Sequence, residues 1–243
     1  MTKVLSAFTI TVVLHLIIYF SGAITSFDFL FFDLTSANKA APFSPSSSST
    51  VVVEIDEESL QMLGQWPWPR IVLAQVLQDI LAQKPAAVGF DIFFSEPDRT
   101  SPIEIKRFYR QTLGIDIKLD GFPPGLENHD LIFADVLRSG PTVLPLFASQ
   151  KGQGGGSCKL SQDQLTVLPE GLHLPQANDP LCNFLPLQQA AHGFGYINAA
   201  VDSDGIFRRQ SLIIDYEKKG LLCFALSMFA QIDPTLKIDV PEN

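Results

Sequence analysis

Val51-Val-Val-Glu-Ile-Asp56, Gly64-Gln-Trp-Pro-Trp-Pro-Arg70 and Ala86-Ala-Val-Gly-Phe-Asp91-Ile-Phe-Phe-Ser-Glu96-Pro-Asp98 bracket one apolar-periodic run, and how this stretch is read decides the fold. The outer segments are short, rich in Val, Ile and Phe, and end in carboxylates. About a dozen residues of helical pattern lie between them, which is the layout of a strand–helix–strand unit with parallel pairing. The helix carries its own punctuation. Pro69 suits a helix start, where its missing N–H costs nothing, and Pro85 follows the end. Ile71, Val72, Leu73, Val76, Leu77, Ile80 and Leu81 recur at three- and four-residue spacing, so the pattern predicts a helix over 71–81 with one broad buried face. A right-handed crossover then brings Asp56 and Asp91 to the carboxyl-terminal edge of the sheet, where open α/β sheets place their ligands.

Five motifs stand in order along the chain: Glu54-Ile-Asp56-Glu-Glu-Ser-Leu60, Trp66-Pro-Trp-Pro-Arg70, Gly89-Phe-Asp-Ile-Phe-Phe-Ser-Glu-Pro-Asp98, Gly193-Phe-Gly-Tyr-Ile-Asn198 and Asp202-Ser-Asp-Gly205-Ile-Phe-Arg-Arg209. Together they resemble the type-two CHASE domain, the cyclases/histidine kinases associated sensory extracellular domain. The resemblance runs from the first hydrophobic segment to about Gln231. It implies an extracytoplasmic sensor domain of a bacterial membrane receptor involved in signal transduction, not an enzyme. It also implies an output module, a cytoplasmic kinase or cyclase, beyond this chain.

Of the 243 residues, about 200 follow the first hydrophobic segment and its linker, enough for one α/β domain with a sizeable core. The expected fold is a single α/β domain at 51–243, its mostly parallel or mixed sheet flanked by helices. A net charge of −9 and a pI near 4.8 argue against nucleic acid and anionic membrane surfaces as partners, because all carry the same sign. Cys158, Cys182 and Cys223 are too few for a disulfide scaffold and lack metal-ligand spacing. They stand as three free thiols, or Cys158 and Cys182 bridge across a long loop in an oxidising compartment while Cys223 stays free.

Val4 to Ala23 is apolar and long enough to cross a bilayer. Ser21-Gly22-Ala23 offers a cleavage site for the competing signal-peptide reading. Apolar character continuing through Phe32, and the resemblance, favour an anchor: a transmembrane helix at 1–25 in the cytoplasmic membrane, with Lys3 inside and the domain facing the periplasm. Phe27, Leu30, Phe31 and Leu34 share a helical face, so a juxtamembrane helix is expected over 26–37, its aromatics in the core or, alternatively, in a homodimer contact. The Ser- and Pro-rich stretch to Thr50 is a tether.

Farther on, helices are predicted near 102–113 and 129–138, followed by a strand at 142–147 that Pro145 should confine to an edge. Gly152–Gly156 is flexible-loop composition without the lysine of a phosphate loop. A short hairpin is expected over 160–174. Strand-like runs at 193–198 and 206–216 are separated by Asp204-Gly205, a hairpin-turn signal that outweighs a Ca²⁺ reading of Asp202 and Asp204. A helix over 221–231 and a last strand at 237–240 complete the expectation.

The candidate ligand-binding residues are Asp56, Trp66, Trp68, Arg70, Asp91, Glu96, Asp98 and Arg208. No cofactor and no metal is assigned, and the small-molecule ligand is left unidentified. If Asp56, Asp91, Glu96 and Asp98 converged, they could hold a divalent cation and serve a periplasmic metal-dependent hydrolase, the alternative reading. Against it stand the absence of a nucleophile elbow, of paired histidines and of a phosphate-cradling loop. The structural alternative has Asp56 capping the turn that follows, and Arg70 or Arg208 pairing with a buried Asp91. The two indoles either pack over the helix start or form a rigid platform for a ligand.

Overall fold

The computed structural model describes residues 23–39, 49–148, 158, 160–161, 164–169, 171–177, 179–199, 201–233 and 235–236. The expected membrane helix, most of the tether, the glycine run at 152–156 and the last strand lie outside these residues. No helix among the described residues is long and apolar enough to cross a membrane. The chain divides into two units, Met1–Asp56 and Glu57–Asn243.

The first unit contains α1 (Ala23–Lys39), matching the predicted juxtamembrane helix and extending it by a few residues. Its stripe is not a core. Phe27, Leu30, Phe31 and Leu34 are 71, 55, 70 and 57% exposed. Val51–Asp56 corrects the expectation more sharply, since it is extended but pairs with no strand among the described residues, and Val51 and Val52 are each 83% exposed. β-propensity reports how well side chains fit a half-buried pleated surface, and without such a surface the run stays solvated.

The second unit is a mixed α/β body built on two three-stranded sheets rather than one. Its elements in order are α2 (Glu57–Leu63), α3 (Arg70–Ala82), β1 (Val88–Gly89), α4 (Pro102–Leu113), α5 (His129–Arg138) and β2 (Thr142–Leu146). β3 (Gln176–Ala177), α6 (Leu185–Ala190), β4 (Gly193–Tyr196), β5 (Ile213–Tyr216), β6 (Lys219–Leu222) and α7 (Phe224–Ile232) follow. The first sheet is all parallel in the order β1-β2-β4. In the second, β3 runs parallel to β5, and β5 antiparallel to β6. A parallel bridge between Tyr196 and Cys223 joins the two sheets.

β2 is central and wholly buried, against the expectation for a strand containing proline. The pairing explains why. β1 stops at Gly89, opposite Val143, and the Phe90 N–H reaches the Val143 carbonyl, so the ladder on that side ends before Pro145. The missing N–H therefore falls where no strand waits for it. The Pro145 carbonyl instead accepts from the Asn183 amide at 2.6 Å.

α7 lies along the first sheet, and glycines make room for it. A Cβ at Gly195 would come within 2.5 Å of the Phe224 backbone, so this helix approaches the strand more closely than any side chain permits. On the opposite face Phe90 meets Phe133 of α5 edge to face, at 5.5 Å and 85°.

In the second sheet, the β5–β6 hairpin turns at Glu217 and Lys218, with φ of 52° and 66°. Both lie in the left-handed region that a two-residue turn needs, yet neither is the Asn or Gly that signals one. The expected 160–174 hairpin is absent among the described residues, because Thr166 bridges to Gly220 instead. Asp204-Gly205 does make a tight turn, with Gly205 at φ 84° and its N–H on the Asp202 carbonyl, but β4 and β5 on either side belong to different sheets. Cys158 and Cys182 form a disulfide, and Cys223 is buried and free.

Candidate ligand cleft

Two short segments that sequence reading singled out come together in one cleft of about 420 Å³. It is lined by Trp66–Trp68 and Arg70 on one side and Ile92–Thr100 on the other. Of the candidate residues, Trp66, Trp68, Arg70, Glu96 and Asp98 line it. Asp56 lies in the first unit, exposed, immediately before α2. Asp91 is exposed and makes no ion pair among the described residues, so the expected buried pair does not involve it. Arg208 is elsewhere occupied, on Asp202 at 3.1 Å and Asp204 at 2.8 Å, which spends the carboxylates that a Ca²⁺ loop would have needed.

The aromatic wall is positioned locally. Gly64 leaves α2 with φ 91°, and its carbonyl accepts the Trp68 indole N–H at 2.8 Å. Trp68 is therefore buried, at 5% exposure, while Trp66 stands against it edge-on at 5.9 Å and stays 39% exposed. Pro69 then opens α3 without a side-chain cap of its own.

The cap comes from a distance. Asp98 Oδ2 accepts the Arg70 backbone N–H at 2.7 Å, and Oδ1 accepts the Thr100 N–H at 2.9 Å and its hydroxyl at 2.7 Å. The Asp98 N–H in turn donates to Asp130 Oδ2 at 2.8 Å. Ser101, the residue before α4, accepts the His129 N–H on its hydroxyl, and the His129 ring lies 3.3 Å from Asp98. The N-termini of α3 and α5 thus meet at two buried carboxylates, an arrangement that helix N–H groups and dipoles favour, and Ser101 ties the start of α4 to them through His129.

The two acids titrate in opposite directions. Burial pushes Asp98 up, but the bonds from Arg70 and Thr100 and the Arg70 charge outweigh it and hold the carboxyl below its ordinary value. For Asp130, burial dominates and raises the carboxyl, with the Asp98 N–H and Arg70 only partly compensating.

Arg70 sits between them with its guanidinium 4.3 Å over the Phe94 ring, a cation–π stack. Its Nε is 3.6 Å from Asp130 Oδ1, beyond hydrogen-bond distance, and both atoms are buried without a partner. Burial pushes the Arg70 pKa down while Asp130 and Asp98 push it up, and a guanidinium remains charged throughout. Phe94 is itself fixed, its N–H on the Asn183 side chain at 2.9 Å and its carbonyl accepting from Phe184. Asn183 adjoins the disulfide half Cys182, so the bridge steadies the floor under Arg70.

Sequence reasoning missed Asp130, His129 and Phe94. Asp130 sits in the first turn of a predicted helix, and nothing local names Arg70 as its partner. A larger hollow of about 790 Å³ lies along α4 and the start of α5. Its cations already have acidic neighbours, Arg107 with Glu104 at 2.9 Å, and Arg110 and Lys106 sharing Asp116 at 2.6 and 3.8 Å, so it offers less for a ligand to satisfy.

A family model, the CHASE2 domain, matches residues 10–240. No curated protein and no solved structure matches the chain. The match spans every element of the second unit, the aromatic turn and the Phe94–Asp98 loop included. The chain belongs to the CHASE2 domain family, extracellular sensory domains of signalling receptors.

Proposed function

We propose that this chain is the ligand-binding signal-input domain of a bacterial membrane receptor, and that its signal enters at the cleft between Trp66 and the Phe94–Asp98 loop. The observation that carries the reading is Arg70, a guanidinium with an 11% exposed side chain that donates no side-chain hydrogen bond among the described residues while lining an open aromatic cleft. Residues 1–25 anchor the chain in the cytoplasmic membrane with the domain in the periplasm, an assignment the Cys158–Cys182 disulfide supports because such bridges persist in oxidising compartments. The exposed stripe of α1 suits a homodimer contact, and a cytoplasmic kinase or cyclase receives the output. Nucleic acid is not a partner of a chain carrying −9.

A metal-dependent hydrolase has less support. Both oxygens of Asp98 are spent on N–H and hydroxyl donors, Glu96 is engaged by Arg99 at 2.5 Å, and no group of three metal-ligating side chains gathers among the described residues.

Thermal unfolding of the full chain in lipid nanodiscs, against periplasmic metabolites and divalent cations with and without chelator, tests the reading. A ligand at a hundred times its Kd adds about 2.7 kcal/mol, which raises the midpoint of a domain this size by about 5–10 °C. At least one metabolite is expected to do so, and Trp66→Ala to abolish the shift. A response to divalent cations alone, reversed by chelator, would move the assignment to the hydrolase.

A further inference from the structure

We propose that the cleft takes a small monocarboxylate with an apolar or aromatic body, the carboxylate held by the Arg70 guanidinium and the body laid against Trp66. The inference rests on the cleft being the ligand site and adds the class of ligand.

The guanidinium is fixed before any ligand arrives. One face lies on Phe94, itself 1% exposed and bonded through its backbone, and the Nε edge is turned to Asp130. None of the side-chain nitrogens donates a hydrogen bond to a protein acceptor among the described residues, the nearest carboxylate oxygen being the one at 3.6 Å. A planar fork held in place with donors unspent matches the two oxygens of a carboxylate.

The surrounding charges explain why one negative charge fits and two do not. Arg99 pairs with Glu96 at 2.5 Å on the exposed rim, which leaves Arg70 as the buried cation of the cleft. Asp98, its carboxyl held below the ordinary value, spreads its charge over several donors, while burial pushes the Asp130 carboxyl up. A single negative charge laid on the Arg70 fork meets less repulsion from Asp98 and Glu96 than a phosphate dianion would. Much of the remaining wall is apolar. Trp66, Pro67, Ile92 and Phe93 line it, and the exposed indole offers a rigid stacking surface. A volume of about 420 Å³ suits a small organic acid.

The chain has two tryptophans, Trp66 and Trp68, so the protein's tryptophan emission reports on this cleft alone. The full chain is titrated with acetate, hexanoate, benzoate and phenylacetate, each beside its amide, and with inorganic phosphate. Saturable emission changes are expected with the larger acids, weakened about tenfold or more for the amides and for Arg70→Lys, which keeps the charge and loses the fork. The acid–amide comparison on the parent protein decides the matter should the variant fold poorly. Amides binding as tightly as acids, or phosphate binding in their place, would overturn the carboxylate class while leaving the cleft as the ligand site. Compounds that raise the unfolding midpoint without altering the emission would overturn the cleft reading itself.

Discussion

Replacing Asp98 with Ala is expected to cost about 3–5 kcal/mol of stability at neutral pH, the range for removing one partner of a buried, hydrogen-bonded charge set. Asp98 is 5% exposed, and its carboxylate serves the first N–H of α3, both donors of Thr100 and the His129 ring. Truncation strands these donors and leaves Arg70 facing Asp130, whose carboxyl burial already pushes up. The pH dependence follows from the direction of the shift. Because the folded-state pKa of Asp98 lies below its unfolded value, its contribution is complete above the unfolded pKa and is lost as pH falls through the folded one. The stability gap between parent and variant should therefore be flat above about pH 5 and close as acid passes below about pH 4. Urea unfolding followed by tryptophan emission measures it, and a gap that instead widens in acid would contradict the assignment.

The second large effect is expected at Phe133, fully buried on α5. Its ring meets Phe90 at 5.5 Å and Phe94 at 5.4 Å, both edge to face, so it ties α5 to the strand end and to the ring beneath Arg70. Phe133→Ala should cost about 3–5 kcal/mol, the usual range for emptying a buried phenylalanine site. Phe133→Leu, which keeps most of the volume, should cost clearly less. The alanine variant should also weaken ligand binding, because a looser Phe94 no longer holds the Arg70 plane. Unchanged unfolding midpoints in urea would mean that this cluster is not the core it is taken for.

What was legible in the sequence was mostly local. The helices beginning at Arg70, Pro102 and His129 announce themselves through three- and four-residue apolar spacing and through breakers at their ends, all read within a few residues. The cleft was half legible. Trp66 through Arg70 and Glu96 through Asp98 flank one helix and the strand after it, so short connections alone bring them together. What failed depends on partners far along the chain. Val51 to Asp56 has every mark of a strand except a neighbour, and Pro145 sits in a central strand because β1 happens to end two residues earlier. The pairing of Arg70 with Asp130 rather than Asp91 is a tertiary fact, set by where α5 begins. No spacing rule in the sequence reaches that far.

The same distinction bears on the cleft as a sensor. Its floor at Phe94 and the Asp98 loop are held by long-range bonds to Asn183 and α5, while Trp66 stands half-exposed on a short turn at its mouth. A ligand there would touch two segments at once, the aromatic turn and the loop after β1, and through Asp98 would bear on the starts of three helices. Such a junction offers a physical origin for a transmitted change, since Asp98 accepts the first N–H of α3 and donates its own N–H to Asp130 in the first turn of α5.

Hydrogen–deuterium exchange on the full chain, with and without the compound that most raises the unfolding midpoint, tests this most directly. The account predicts added protection in residues 64–70 and 92–100 and at the start of α5, with the hollow along α4 unaffected. Protection along α4 or α1, with those cleft segments unchanged, would contradict it and move the point of signal entry elsewhere.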